Sequence, residues 1–399
     1  MNIENIELRW DLIGNGLKEL NRSEILNLLN DYYNTDKKLK GIIKEYQLNL
    51  KPTQVVKAFP PFMTELKCPY DGARMLQKLP SRTFPEIMTR KEYCPKCGHK
   101  NMEMCRCDNC IEEEKSKRKK CRELIEQTYS QENHEKILLS LLSLKDRLYL
   151  SALLRAALSE DAKEIKPIKL KENKLAPTKE MEKDILNYLI DRQIIKVAPD
   201  SPLEAFPEDG PNYPNTYYIY KVNYLINVQD ENLDHEELLK RLEYPSAEEF
   251  LSTPEECLTL WKEIAYQEVI EFLIYRMDAV GFKFSPGKKT RLVIGQLLEN
   301  FSASQIWYFI YISVAYSYQW RRESGVSWKQ GANSVITGIE TRGQRAIAEE
   351  WEVKSFSRNF NLPASQLALV LYNSILQLGS NGYRKVPSKE IIQEKLEKL

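Results

Sequence analysis

The sequence predicts a mainly α-helical protein that is built from several domains. Three features of the 399-residue chain lead to this expectation. Apolar residues recur at helical spacing in residues 1–60 and again in residues 246–399. Five of the eight cysteines fall within residues 94–110. Between these parts, residues 135–245 change from helical spacing to β-rich segments.

The composition is that of an ordinary globular protein. The chain is 42% hydrophobic and carries 58 Lys and Arg against 57 Asp and Glu, a formal net charge of +1. Because the chain as a whole is nearly neutral, any contact with nucleic acid must depend on a local basic patch. The N-terminus lacks the pattern of a secretory signal, so we expect a cytoplasmic protein. In a reducing cytosol, clustered cysteines indicate metal ligands rather than disulfides.

Residues 1–60 predict an N-terminal helical domain. Apolar residues recur at helical spacing over residues 26–33 and 39–46, and a third short run follows Pro52. Three short helices joined by tight turns resemble a helix-turn-helix, in which residues 52–58 would be the helix that contacts DNA bases. A set of ordinary amphipathic helices is the alternative.

Residues 61–112 predict a metal-binding module of loops and short strands. Cys94 and Cys97 form a C-x2-C pair, and Cys107 and Cys110 form a second one. Each pair lets two thiolates approach the same cation from one tight turn, which Gly98 permits after the first pair. Two such pairs complete a tetrahedral site for one Zn²⁺ ion on these four cysteines. The stretch resembles zinc-ribbon modules, and the resemblance implies a fold that a metal ion stabilises. A closed set of four thiolates leaves no position for a reacting water, so such an ion stabilises the fold.

Neighbouring residues keep two other metal arrangements open. The additional potential ligands are Cys68, Asp71, His99 and Cys105. Together with the four paired cysteines they would serve two zinc ions. A third arrangement is a single site in which Cys68 joins the first cysteine pair and one downstream cysteine. Spacing along the chain does not choose between these arrangements.

Basic residues in and after this module favour contact with nucleic acid. The candidates are Lys96, Lys100, Arg106, Lys117, Arg118, Lys119 and Lys120. Such a patch suits a phosphate backbone, and we expect DNA rather than RNA, with a protein complex as the alternative partner. The last four candidates belong to residues 113–134, where Glu and Lys or Arg at i,i+4 spacing predict a charged connecting helix. A solvated, charged helix surface is the simpler explanation of these four residues.

Residues 135–245 are helical first and β-rich afterwards. Helical spacing over residues 135–158 and 178–193 gives way to β-rich segments at 194–199 and 217–228, which a proline-rich stretch separates. Two helices followed by a two-stranded ribbon with a long tip resemble a winged helix. The resemblance rests on the order of elements and implies a further nucleic-acid-binding fold.

Residues 246–399 predict an all-α bundle. Apolar stripes recur in successive segments that Gly or Pro separates. The apolar run at 306–316 is far shorter than the roughly 20 residues needed to cross a bilayer, so we expect a buried helix and no membrane partner. Aromatic and arginine residues follow this run and are typical of a core, an interface or a base-stacking surface: Trp320, Arg321, Arg322 and Trp328.

Support for catalysis is weak. The sequence contains no glycine-rich phosphate loop and no serine-hydrolase or H-E-x-x-H motif. Glu352 and Lys354 match the E-x-K half of a metal-dependent nuclease site, but they follow a helical pattern where that site needs a strand. We therefore expect a zinc-containing nucleic-acid-binding protein, as a regulator or a component of a mobile-element or defence system. A protein–protein adaptor is the alternative, and a nuclease is the third hypothesis.

Overall fold

The computed structural model describes residues 6–83, 91–130, 135–168, 173–208, 210 and 212–398. These residues are mainly helical, and the strands among them form three two-stranded sheets. The chain divides into two compact units, Met1–Cys121 (unit 1) and Arg122–Leu399 (unit 2). The finer division into five domains stays a prediction.

Unit 1 begins with three short helices at the places that the sequence predicts. They are α1 (Arg22–Asn34), α2 (Leu39–Glu45) and α3 (Pro52–Ala58). A capping box starts α1, because the Asn21 side chain accepts from the Glu24 N–H while the Glu24 carboxylate accepts from the Asn21 N–H. Apolar faces of all three helices meet in one core that includes Ile25, Leu28, Leu29, Ile42 and Val55.

Two strands and the first part of a long helix, which continues into unit 2, complete unit 1. Strand β1 (Phe62–Lys67) pairs antiparallel with β2 (Arg74–Gln77), and isolated bridges join Leu76 to Tyr93 and Tyr93 to Lys100. These pairings make two successive hairpins on one small ribbon. Helix α4 (Asp108–Thr128) starts five residues before the predicted connecting helix, because the second cysteine pair lies at its first turn instead of in a separate loop.

Unit 2 opens with a region of helices and short strands. Its elements are β3 (Ile137–Leu138), α5 (Leu144–Ala157), α6 (Lys179–Asp191), β4 (Ile195–Val197), β5 (Tyr224–Ile226), β6 (Val228–Gln229) and α7 (His235–Glu243). Strand β5 pairs antiparallel with β4, and Tyr224 of β5 also forms an isolated β-bridge with Ile165. Strands β3 and β6 pair in parallel. Of the β-rich segment predicted at 217–228, the part before Tyr224 is not a strand, because a turn closed by the Lys221 N–H and the Tyr218 carbonyl occupies it.

The remainder of unit 2 is a set of packed helices. They are α8 (Ala247–Leu251), α9 (Pro254–Ala279), α10 (Lys288–Leu297), α11 (Ala303–Ser324), α12 (Trp328–Ala348), α13 (Gln366–Leu369), α14 (Asn381–Arg384) and α15 (Lys389–Leu396), with a π-helical turn (Val370–Ile375) after α13. Trp307 is fully buried on α11 and stacks on Phe272 of α9 with 4.2 Å between ring centroids. Within the described ranges, no helix combines the length and the apolarity that crossing a membrane requires.

Two buried carboxylates are compensated inside unit 2. Glu268 on α9 accepts from Arg358 at 2.5 Å and from the Tyr372 hydroxyl at 3.0 Å. Asp146 on α5 accepts from Arg192 at 2.9 Å. Burial raises the pKa of Asp146, but its hydrogen bonds outweigh that effect and hold the pKa below the ordinary value of 3.8. Both side chains are fully buried, so these partners replace the water that the charges lose.

Candidate metal centre

Two clusters of thiol, imidazole and carboxylate groups lie in unit 1. Cluster A consists of Cys68, Asp71, Cys94 and Cys97, and cluster B consists of His99, Cys105, Cys107 and Cys110. Within each cluster, one ligand atom of every residue lies within 4.8 Å of the others. Each cluster is therefore compact enough to surround one metal ion.

Cluster A is built by the turns of two hairpins. Cys68 and Asp71 lie in the turn between β1 and β2, and the other two ligands lie in the turn after Tyr93. The turns have the related sequences CPYDG and CPKCG, and in each the glycine N–H donates to the carbonyl of the first cysteine, at 3.0 and 3.1 Å. Gly72 and Gly98 have φ values of 69° and 71°, which a glycine adopts without strain. Repetition of one turn thus brings two pairs of ligands together.

Distances between ligand atoms in cluster A are somewhat shorter than those around a bound tetrahedral ion. The Sγ atoms of Cys68 and Cys97 are 3.5 Å apart, and the Cys94 Sγ lies 3.1 Å from the nearer Asp71 oxygen. Metal–sulfur bonds of about 2.3 Å and metal–oxygen bonds of about 2.1 Å separate tetrahedral ligands by roughly 3.6–3.8 Å. Asp71 therefore stands where a fourth thiolate would complete the set.

The charges of cluster A suit a cation at its centre. Cys68 and Cys94 are buried, and burial raises the pKa of the Cys94 thiol because a thiolate there lacks water. The Ala73 N–H and the neighbouring thiols lower the pKa of the Asp71 carboxyl to about 2. A divalent ion supplies the positive charge that thiolates need in such surroundings.

Cluster B is built by a loop and the first turn of α4. Cys107 precedes the helix and Cys110 lies in its first turn, so the C-x2-C spacing directs both thiols to one helix end. The His99 Nδ1 lies 3.2 Å from the Cys110 Sγ and 3.9 Å from the Cys107 Sγ. Nitrogen at about 2.0 Å and sulfur at about 2.3 Å from a tetrahedral ion lie roughly 3.5 Å apart. Cys105 completes the set, and its Sγ accepts from the Lys100 N–H at 3.1 Å.

Tyr70 connects the two clusters. It lies in the CPYDG turn of cluster A, yet its hydroxyl lies 3.2 Å from the Cys110 Sγ and donates to Glu113. Its ring also packs edge-on against His99, with centroids 5.1 Å apart. Groups that bond or pack against ligands in this way orient them for metal binding. Tyr70 is not among the residues predicted from the sequence, although its place inside the repeated turn is visible there.

The structure groups the four paired cysteines differently from the single site predicted first. Cys94 and Cys97 belong to cluster A, whereas Cys107 and Cys110 belong to cluster B. All eight candidate ligands fall into the two clusters, which is the grouping that the two-ion arrangement requires. The physical reason is the ribbon, because its hairpin pairing brings the CPYDG turn to the first cysteine pair while α4 holds the second pair elsewhere.

The predicted nucleic-acid-binding residues lie on the surface around both clusters. Lys96 is in the turn of cluster A, Lys100 follows a ligand of cluster B, and Arg106 lies between two ligands of cluster B. All three side chains are exposed, and none forms an ion pair with another residue that the structure describes. The remaining candidates lie on the exposed part of α4: Lys117, Arg118, Lys119 and Lys120.

The residues of the nuclease hypothesis are not assembled into a site. Glu352 and Lys354 follow α12 in a segment without helix or strand, so the strand that such a site needs is missing there. Among the described side chains, Glu352 belongs to no group of three or more metal ligands. In the same unit, Trp320 and Trp328 are each about half exposed, and the Arg321 guanidinium stacks 3.8 Å above the Trp328 ring.

Comparisons with known proteins do not assign the chain to a family. No protein-family model, no curated protein and no solved structure matches the chain.

Proposed function

We propose that this is a zinc-containing, nucleic-acid-binding protein whose binding surface lies on unit 1. The observation that carries the proposal is the position of Lys96, Lys100 and Arg106, which are exposed on the same turns that supply the metal ligands. Turns fixed by metal present their side chains in a defined arrangement. Lysine and arginine in such an arrangement can follow the spacing of phosphates on a nucleic-acid backbone.

Zinc is the ion that suits both ligand sets. Each cluster offers three thiols and one harder group, Asp71 in cluster A and His99 in cluster B. Soft thiolates in tetrahedral geometry favour zinc over magnesium or calcium, which prefer oxygen ligands. Four protein ligands fill the tetrahedron, so we assign both ions a structural role.

The charge of the metal-binding module supports a polyanionic partner. Residues 61–120 contain 14 Lys and Arg against 9 Asp and Glu, an excess of five positive charges. Two zinc ions add four positive charges, and the six cysteines of the clusters add six negative charges as thiolates. The module keeps an excess of three positive charges, whereas the whole chain counted with the same ions and thiolates has a net charge of −1. The positive charge of the protein is therefore concentrated where the clusters lie.

Helix α3 supports the same location. Its sequence, PTQVVKA, contains no acidic residue, and Thr53, Gln54 and Lys57 are exposed while Val55 packs in the core. Helix α3 follows α1 and α2 and has a polar, partly basic outer face. These are the features of the base-contacting helix of a helix-turn-helix. We include α3 in the proposed surface.

A winged helix in unit 2 is a weaker location for binding. Along the chain, α5 is followed by Ile165, α6, β4 and β5, and β5 pairs with both Ile165 and β4. This order of elements and pairings supports that fold. In a winged helix, the helix before the ribbon contacts DNA bases. Here that helix is α6, whose exposed charges are two lysines and three carboxylates: Lys179, Lys183, Glu180, Asp184 and Asp191. We therefore assign nucleic-acid contact to unit 1.

Fluorescence anisotropy with labelled duplex DNA over a range of salt concentrations tests this proposal. Changing Lys96, Lys100 and Arg106 together to glutamine removes three potential phosphate contacts. We expect weaker binding, and a slope of log affinity against log salt that is smaller by about 2.7, since each contact contributes about 0.9. Single-stranded DNA and RNA of the same length test the expected preference for DNA.

A matched control has the same change of charge elsewhere. Lys283, Lys288 and Lys329 are exposed in unit 2, and replacing them by glutamine should leave the salt slope unchanged. Absence of any affinity at low salt would contradict the proposal. An equal loss in both triple variants would show that binding depends on net charge and not on the metal-binding module.

A protein–protein adaptor is the second candidate, and exposed aromatic side chains favour it. Tyr316 is 62% exposed, and Trp320, Trp328 and Trp351 are 41–46% exposed. Aromatic and arginine side chains are enriched at the centres of protein interfaces. Purification from cells distinguishes the two functions, because an adaptor arrives with a stoichiometric protein partner and without nucleic acid.

A further inference from the structure

A pocket of about 350 Å³ in unit 2 lies between the β4–β5 ribbon and α7. Its volume is within the roughly 300–1,000 Å³ of small-molecule sites. The apolar part of the lining includes Val197, Val228, Leu238, Leu239 and Leu242. Around this apolar part, four basic side chains line the same pocket: Lys136, Lys163, Lys196 and His235. Apolar surface with a few convergent charges is typical of a ligand site.

The acidic side chains of the pocket do not neutralise these lysines. Asp234 caps α7, with its Oδ1 accepting from the Glu237 N–H at 2.8 Å. Asp230 accepts from the Asn232 N–H at 2.9 Å in a local turn. Among the described residues, neither aspartate forms an ion pair with a lysine of the pocket. Asp161, which lies outside the pocket lining, interacts electrostatically with Lys163 but forms no ion pair with it. Among the described residues, the three lysines form no ion pair, so they can contact an external anion.

Lys196 is the most constrained of the lysines. It is the middle residue of β4, between the buried side chains of Ile195 and Val197. Its side chain lines the pocket. Burial lowers the pKa of its amine. An anion placed against this amine would compensate its lost hydration.

Tyr129 adds an aromatic wall. Its hydroxyl donates to the Pro214 carbonyl at 2.8 Å, and its ring packs edge-on against Tyr217. These contacts fix the ring at the side of the pocket. A flat, weakly polar group can pack against such a ring and the apolar lining together.

We propose that this pocket binds a mononucleotide, with its phosphate against Lys136, Lys163 and Lys196 and its base on the apolar lining and Tyr129. Two negative charges of a phosphate monoester match the three lysines better than a carboxylate would. The site is separate from the surface proposed for nucleic acid on unit 1 and does not depend on it.

Isothermal titration calorimetry of the full chain with AMP and with UMP tests the proposal. We expect binding of at least one of them. The corresponding nucleoside and inorganic phosphate should each bind at least tenfold more weakly, because both halves of the ligand contribute. Lys196→Met retains the aliphatic stem and removes the charge. It should weaken nucleotide binding about 10- to 100-fold, the effect of losing one charged hydrogen bond.

Lys329→Met is the matched control, since Lys329 is exposed in the same unit and outside the pocket. Its affinity for the nucleotide should equal that of the parent. Circular dichroism shows whether each variant is folded, and Lys136→Met provides a second test if Lys196→Met is not.

Three results would overturn the proposal. One is that neither nucleotide binds, and another is that binding is unchanged in a folded Lys196→Met variant. The third is that inorganic phosphate binds as tightly as AMP, which would leave the apolar lining without a role. If an oligonucleotide needs Lys196 while AMP does not bind, these lysines belong to a nucleic-acid surface instead.

Discussion

Replacing Cys68 by serine distinguishes the two-cluster arrangement from a single site on the two cysteine pairs. Cys68 is outside the four-cysteine set that the sequence favours, but it is a member of cluster A. If cluster A holds its own zinc ion, Cys68→Ser reduces the zinc content from two ions per chain to one. If Cys94, Cys97, Cys107 and Cys110 share one ion, the same change leaves the content at one.

Loss of the ion from cluster A should strongly destabilise the β1–β2 ribbon, because the ribbon has only a small core of its own. Apart from the ligands themselves, its buried cluster contains Met75, with Ala73 packed against it. Structural zinc sites bind with about 10–16 kcal/mol in peptides, whereas a whole domain is stable by about 5–15 kcal/mol. Loss of the ion should therefore unfold β1, β2 and the turn between them. Unit 2 has a separate apolar core and should remain folded.

Elemental analysis of purified protein gives the zinc content, and hydrogen exchange shows which unit loses protection. We expect two ions in the parent, one in Cys68→Ser, one in Cys107→Ser and none in the double variant. Cys121→Ser is the control, since Cys121 lies on α4 in neither cluster, and it should retain two. One ion in both the parent and Cys68→Ser would refute the two clusters. A parent without zinc that melts like Cys94→Ser would refute metal binding altogether.

Three further predictions concern unit 2 and are measured by denaturant or thermal unfolding. A Cβ at Gly382 would lie 2.4 Å from the ring of buried Tyr372, so Gly382→Ala should lower the free energy of unfolding by about 1–3 kcal/mol. A Cβ at Gly295 in α10 would meet no atom within 4 Å, so Gly295→Ala should raise it by roughly 0.5–1 kcal/mol. Arg358→Met leaves the Glu268 carboxylate buried without its cation and should cost about 3–5 kcal/mol; an unchanged midpoint would contradict this. The pKa of Asp146 is lowered in the folded chain, so its carboxylate stabilises the protein above about pH 4, and this contribution is lost on further acidification. In Asp146→Asn, the free energy of unfolding should therefore depend less on pH below about pH 4.

Periodicity alone determined most of the helical architecture. The three helices of unit 1 and the long helices α9, α11 and α12 lie where apolar residues recur at helical spacing. Helices are predictable in this way because their hydrogen bonds and their faces are set by residues three or four apart. The repeated C-P-x-x-G turn is also set by residues that are close together in sequence. All eight residues of the two clusters could be named as potential ligands from the sequence.

Tertiary structure decided which ligands share a cluster. Cys68 and Cys97 are 29 residues apart, and they meet because two hairpins pair side by side on one ribbon. Cys97 and His99 are near neighbours in sequence, yet they belong to different clusters. Spacing limits which residues can bind together, but the path of the chain between the turns chooses among the combinations that spacing allows.

The same distinction holds in unit 2. Glu268 and Arg358, 90 residues apart, form a buried pair that no local pattern indicates. The lysines of the ribbon pocket come from the approach to β3, from the residues before Ile165 and from β4, and pairing of the strands brings them to one cavity. Sequence fixes short-range geometry because neighbouring residues are covalently held, whereas contacts between distant residues depend on how whole elements pack.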